Sequence, residues 1–245
     1  SAISGVDVAS VCVKVNDDGF YSLMIGATDM GTGCDTTLAQ VAAESLGCEL
    51  EDIVVYGTDT DISPYDSGSY ASSTAYLTGM AVVKTCEALK KKILHKAARY
   101  LECREDELEF DGKRVYKLSC EEDGTRKEMT IKDIGNRVMC SNEDALQVTE
   151  SHSSPVSPPP FMAGAAEVEV DTETGDVKLI RFVAAVDCGT PLNINLARVQ
   201  TEGGLAQGIG MALYEDVTYS ETGRVHENSF MQYKVPSRQD VGNVQ

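Results

Sequence analysis

Three stretches carry residues whose types and spacing could hold a ligand. The first, "TDMGTGCDTT" (28–37), sets Gly31 and Gly33 two positions apart, ahead of Asp35 and Thr36. Glycines there permit backbone geometry and close approach that a side chain would block. A helix starting at this point presents N–H groups with no intrahelical partner, and such a loop can hold an anion such as a phosphate. A tight turn into a capped helix accounts for the same residues without a ligand, and a G-x-G alone is a weak signal.

The second stretch, "PYDSGSYASSTAY" (64–76), is dense in small hydroxyls: Ser67, Ser69, Ser72, Ser73 and Thr74. Such hydroxyls and the neighbouring N–H groups donate to phosphate or ring oxygens without adding charge. Ordinary capping of the following helix needs only one of them. The third, "TEGGLAQGIG" (201–210), places Gln207 among four glycines. Each glycine in a helix interior costs about 1 kcal/mol relative to alanine, and tight packing or a ligand lying on the backbone would offset that cost. Gln207 offers both a donor and an acceptor, which suits the amide-like edge of a heterocycle.

Other chemistries find less support. His95, His152 and His226 are isolated, and neither a Ser/His/Asp set nor a His/carboxylate metal cluster can be assembled from the sequence. Asp59, Asp61 and Asp66 lack the glycine and closing glutamate of an EF-hand loop. The eight cysteines contain no C-x-x-C, which argues against a zinc ribbon or an iron–sulfur cluster on this chain. They read as reduced, mostly buried thiols of a cytoplasmic protein. A formal net charge of −18 disfavours nucleic acid, so a bound anion must be held by local N–H groups. The first residues show no signal peptide, and no apolar run reaches the ~18 residues of a membrane span.

The elements that position these stretches follow from periodicity. Val11, Val13 and Val15, a turn at Asp17–Gly19 and a return through Ile25 predict a hairpin. Helices are expected from about Thr36 to Leu46 and from about Ser73 to Glu102. Leu77, Met80, Val83, Leu89, Ile93, Ala97 and Leu101 form the core stripe of the longer one. "EDIVVYG" predicts a buried strand. Between Glu105 and Gln147 a strand pair (108–110 and 114–116) and a short helix (131–139) are expected. "SSPVSPPP" reads as a linker or strapped loop. Beyond it come a strand, a Thr-Gly turn, a long strand, and a glycine-bearing helix. Hairpins mixed with helices indicate an α+β fold, not a doubly wound sheet, with two sub-domains at 1–150 and 151–245.

In series, "TDMGTGCDTTLAQVAAESLG", "TDTDISPYDSGSYASSTAYLTGMAV", "AEVEVDTETGDVKLIRFVAAVDCGTPLN" and "GGLAQGIGMALYEDVTYSETGRVHENSFMQYKVPS" resemble the molybdopterin-binding region of the xanthine dehydrogenase/aldehyde oxidase family of molybdenum hydroxylases. The resemblance covers most of the chain and is weakest at 105–147. It implies a molybdenum ion on the dithiolene of a molybdopterin, often extended by a cytidine nucleotide, and oxidative hydroxylation of a heterocycle or aldehyde with water. It also implies iron–sulfur clusters and FAD on partner domains or subunits, with a further molybdopterin-binding domain completing the site. The alternative left open is a non-enzymatic ligand- or partner-binding protein on the same scaffold.

Carried over by residue, the family's M-G-Q-G loop falls on Met30-Gly31-Thr32-Gly33, with Thr32 where the pterin-contacting glutamine stands. Threonine is shorter and cannot make that two-pronged contact. The loop residue beside the metal falls on Ala71, followed by Ser72 and Ser73, and the glutamine of the last loop falls on Gln207. The family's I-N-P reads Leu192-Asn193-Ile194, and Val199 replaces a glycine. The implied glutamate base lies past Gln245 and a covering loop ahead of Ser1, so the chain is expected to be a fragment, with its second sub-domain truncated. No catalytic residue and no metal ligand is assigned within it. The expected groove is lined by 31–36, 70–74 and 203–208.

Overall fold

The computed structural model of the chain describes residues 6–156 and 158–244. Its contacts divide into two units, Ser1–Pro158 and Pro159–Gln245.

In the first unit the alternating valines form the predicted hairpin. Strand β1 (Val8–Val15) pairs antiparallel with β2 (Tyr21–Ile25), Val13 facing Leu23. Gly19, at φ +94°, closes the turn, a geometry that favours glycine. β2 then pairs in parallel with β3 (Ile53–Gly57). A parallel pair needs a crossover, and helix α1 (Cys34–Leu46) supplies it. The helix begins ahead of the expected Thr36 because Gly33, left-handed at φ 72°, already serves as its N-cap. The long helix α2 spans Thr74–Leu101. Val11, Val13, Leu23 and Ile25 of the sheet, Leu38 and Ala42 of α1, and Ala81, Val82, Leu89 and Ile93 of α2 form one core. Each large aliphatic side chain buried there contributes roughly 1.5–3 kcal/mol.

The expected stripe on α2 holds at Leu77, Leu89, Ile93 and Ala97, whereas Met80 is 40% exposed and Val83 and Leu101 are half-buried. Ala81, Val82, Thr85 and Cys86 point inward in their place. The helix packs on both the sheet and α1, so its buried arc is wide and small residues set its phase. Thr85 is accommodated because its hydroxyl donates to the carbonyls of Ala81 and Val11.

The sheet order is β3–β2–β1–β7. Strand β7 (Gln147–Ser153) has no counterpart in the sequence reading: "QVTESHS" is polar but for Val148, which packs against the core, and a single apolar residue leaves no periodicity to read. A second small sheet joins β4 (Leu108–Phe110), β5 (Arg114–Lys117) and β6 (Glu128–Thr130). Helix α3 (Ile131–Met139) lies where the sequence places it, opened by a capping box between Thr130 and Asp133.

In the second unit β8 (Phe161–Val170) and β9 (Val177–Asp187) form the expected hairpin, and β10 (Asn243–Val244) adds a short parallel partner. Helix α4 (Ile194–Leu213) is capped by the Asn193 side chain, which accepts the amides of Asn195 and Leu196. Among the described residues of this unit, Leu179 and Ile209 are the buried hydrophobic side chains. The architecture is α+β. All eight cysteines are free. The expectation that most are buried is corrected: Cys12, Cys34 and Cys86 are, while Cys120, Cys140 and Cys188 are exposed, because the last three fall on surface connections outside the β1–β3/α1/α2 core.

Candidate functional site

The loop after β2 and the serine-rich loop before α2 are fastened together. A methyl group on Gly26 would lie 2.6 Å from Asp66 Cβ and 2.7 Å from the Pro64 carbonyl, so only glycine lets the second loop rest on the first. The Thr28 amide donates to Ser69 Oγ at 3.0 Å. The second loop is also zipped to the start of β1: Ser10 N donates to Tyr65 O at 2.9 Å and Ser67 N to Val8 O at 3.0 Å.

Both loops use the same local device. Asp29 accepts the amide of Gly31 at 2.9 Å, and Asp66 accepts the amide of Gly68 at 2.8 Å. These are D-x-G Asx turns. Asp29 also accepts the Gly33 amide at 3.1 Å. Its carboxyl is held below the usual carboxylate range, above all by the Gly31 amide and further by that of Gly33. The amides that the sequence offers to an external anion are thus turned toward the chain's own Asp29.

Around this turn the predicted residues take distinct positions. Gly31, at φ +100°, faces open space: a methyl there meets no atom within 4 Å. Thr32 Oγ1 is enclosed and lacks a hydrogen-bond partner of good geometry, although the hydroxyl lies close enough to favour the Cys34 thiolate. Asp35 sits in the first turn of α1, its carboxyl pushed up by burial and then by the Asp29 charge. Thr36 is exposed beside it. Asp29, Cys34 and Asp35 bring one ligand atom each within 4.8 Å of one another, a grouping with metal-binding chemistry that the sequence reading did not assemble. All three are already engaged: Asp29 by amides, and the Cys34 thiol with Asp35 Oδ1 at 3.8 Å.

At the second loop Ala71 and Ser72 are consecutive left-handed residues, φ 50° and 56°. Non-glycine residues in that region each cost of order 1–3 kcal/mol and collect at functional sites. Both are exposed. Ser73 is 3% exposed, and its hydroxyl donates to the Tyr70 carbonyl at 2.8 Å, so its side chain frames the turn from within.

Gln207 belongs to the second unit. It is exposed on α4, and methyl groups on Gly203, Gly204 or Gly208 would meet no atom within 4 Å. Intramolecular packing therefore does not account for those glycines; the helix presents bare backbone beside Gln207. The structure joins residues 28–36 to 65–73 within one unit, while Gln207 stands on the other.

Sequence reasoning missed Gly26, Asp29 and Tyr70, and weighed Asp66 for calcium instead of for the turn it closes. The D-x-G spacing of the two acids was visible as a turn signal. Gly26 and Tyr70 act through contacts distant in sequence. Neither loop carries a lysine or arginine, so any anionic group would be held by neutral donors and backbone dipoles.

The model of the molybdopterin cofactor-binding domain matches residues 2–242. The chain belongs to this family. It is 32% identical over 242 residues to the Escherichia coli (strain K12) protein named "Probable hypoxanthine oxidase XdhD", covering 98% of this chain and 25% of that protein. It is 31% identical over 229 residues to the carbon monoxide dehydrogenase large chain of Afipia carboxidovorans, covering 92% and 28%. Among solved structures, the Cu,Mo-CO dehydrogenase in its carbon monoxide reduced state aligns with a TM-score of 0.82 at 29% identity, over 97% of this chain and 30% of that one. The chain thus spans between a quarter and a third of the proteins it matches. No described helix is long and apolar enough to cross a membrane.

Beside the engaged amides, the two loops leave open space at Gly31, an enclosed hydroxyl without a good partner at Thr32, and a strained, exposed turn at Ala71–Ser72, with the Asp29 carboxylate set among them.

Proposed function

We propose that this chain forms part of the cofactor-binding wall of a molybdenum hydroxylase that inserts an oxygen from water into a heterocycle or aldehyde. The observation that carries the reading is the fastening of the glycine loop to the serine loop, through Gly26 against Asp66 and Thr28 on Ser69, in a chain matched by the family from end to end. The backbone at Met30–Gly33 and at Ala71–Ser72 would hold the molybdopterin, and Gln207 would present its amide to the heterocyclic edge. When bound, the molybdenum supplies the two-electron oxidation chemistry. The chain's part is to bind and orient it on two loops whose backbone is already fixed by the Asp29 and Asp66 turns.

A cytidine extension on the cofactor belongs to the same proposal, as do iron–sulfur and FAD partners that carry electrons away and a further molybdopterin-binding segment that supplies the base. The second unit supports such partners. Phe161 is 68% exposed, Ile194 72%, Met211 67%, Phe230 86% and Met231 85%. Apolar exposure on this scale marks an interaction surface, and α4 itself exposes Ile194, Val199 and Met211 among its polar side chains. The remainder of a larger catalytic chain is the proposed cover.

The test is expression of the complete polypeptide with its partner subunits, followed by metal analysis and release of the pterin as a fluorescent derivative. Close to one molybdenum and one pterin per large chain is expected, and Gln207→Leu should lower pterin retention. A complex free of pterin would overturn the reading, and unchanged retention in the variant would remove Gln207 from it.

A further inference from the structure

The strained turn at Ala71–Ser72 has a neighbour outside its own loop. The Tyr70 hydroxyl donates to Asp7 Oδ1 at 2.5 Å, a bond that bridges 63 positions of sequence. Asp7 is 1% exposed. The Tyr70 ring lies against Gly68, where a methyl group would meet its edge at 3.1 Å, and Gly68 itself has φ +124°. From the backbone side, the Tyr70 amide donates to Gly68 O at 3.0 Å, and the Tyr70 carbonyl accepts both Ser73 N at 3.1 Å and Ser73 Oγ at 2.8 Å. Tyr70 is therefore held at its amide, its carbonyl and its hydroxyl, and the residues that follow it are the two left-handed ones. Asp7 is followed by Val8, which already exchanges bonds with Ser67, so both ends of the bridge rest on the first unit's sheet.

We infer that Asp7 and Tyr70 are positioning residues: their hydrogen bond latches the serine loop so that Ala71 and Ser72 stay in the left-handed conformation that faces the cofactor. The inference rests on the function proposed above. A strained turn persists only where its surroundings over-determine it, and this bond is a constraint that reaches the residue immediately before the turn from a segment 63 positions away. The acceptor is what matters, not the negative charge. An asparagine at position 7 keeps an oxygen for the Tyr70 hydroxyl and should preserve the latch, whereas alanine at 7 or phenylalanine at 70 removes it.

The experiment compares Tyr70→Phe, Asp7→Ala and Asp7→Asn in the complete polypeptide. It measures amide hydrogen exchange across 69–73 in the cofactor-free protein and the dissociation rate of the pterin from the loaded one. Loss of one such bond corresponds to roughly a tenfold change. Tyr70→Phe and Asp7→Ala should therefore speed exchange at 71–73 and pterin loss by about that factor, with Asp7→Asn within about twofold of wild type. Unchanged exchange in Tyr70→Phe overturns the latch. Faster exchange with unchanged pterin retention overturns its role toward the cofactor, and an Asp7→Asn variant as impaired as Asp7→Ala overturns the acceptor argument. If the wild-type complex holds no pterin, the proposed function falls, and exchange at 71–73 alone still decides whether the latch exists.

Discussion

The Asp29 carboxylate accepts the amide of Gly33 at 3.1 Å, across the turn that starts α1. An acid placed four residues ahead of a helix N-cap thereby does what an external anion could do: it satisfies unpaired N–H groups and opposes the positive end of the helix dipole. The glycine loop is built before any ligand arrives. A large anionic cofactor would then meet open glycine backbone and a fixed carboxylate, not a ring of free amides.

Asp29→Ala should speed exchange of the Gly31 and Gly33 amides at neutral pH while leaving the protected amides of β1 and β2 unchanged. The pH dependence has a definite sign. The folded carboxyl is held below its usual range, first by the Gly31 amide, so its contribution to stability is present above the unfolded value of about 3.9. It is lost as pH falls through the folded value. Urea midpoints measured between about pH 5 and 3 should fall less steeply in Asp29→Asn than in wild type.

The Cys34 thiol should resist alkylation. Burial pushes its pKa up to about 11, with the Asp35 and Asp29 charges adding to it against the Thr32 hydroxyl. The reactive thiolate is then scarcer by roughly 100-fold than for an ordinary thiol at the same pH. Iodoacetamide at pH 8, followed by peptide mass spectrometry, should label the exposed Cys120, Cys140 and Cys188 well before Cys34. Early labelling of Cys34 would mean that the loop opens readily.

Two helical glycines should respond to alanine in opposite directions. In α3 a methyl group on Gly135 would lie 2.6 Å from the Asn16 carbonyl oxygen; Gly135→Ala should cost about 1–3 kcal/mol through overpacking. In α2 a methyl on Gly79 meets nothing within 4 Å, and Gly79→Ala should stabilise by roughly 0.5–1 kcal/mol. Denaturation of the two variants beside wild type gives both signs in one experiment.

The two units should differ in their ability to fold alone. Residues 159–245 carry Leu179 and Ile209 as their described buried hydrophobics, while the first unit holds a continuous core. A sheet of two long strands and one short one, with so little packed on it, is marginal in water. Residues 159–245 expressed alone should show no cooperative thermal transition and should bind a hydrophobic dye, whereas residues 1–158 should melt cooperatively.

Sequence and structure divide this protein along a physical line. Local periodicity and turn chemistry determined the β1–β2 hairpin, the long helix, α3 at Ile131–Met139 and the β8–β9 hairpin, because each depends on neighbours within a few residues. The series of glycine, serine and glutamine stretches carried the family in the same way. Tertiary structure decided the rest. It gave β7 a place beside β1 although its one apolar residue, Val148, leaves no periodicity to read, and it turned α2 to bury Ala81 and Val82 instead of Met80 and Val83. It also set Gly26 under Asp66 and Tyr70 on Asp7. Those last contacts join residues 40 to 63 positions apart, where no periodicity reaches, and only the packed chain brings the groups within van der Waals or hydrogen-bond range.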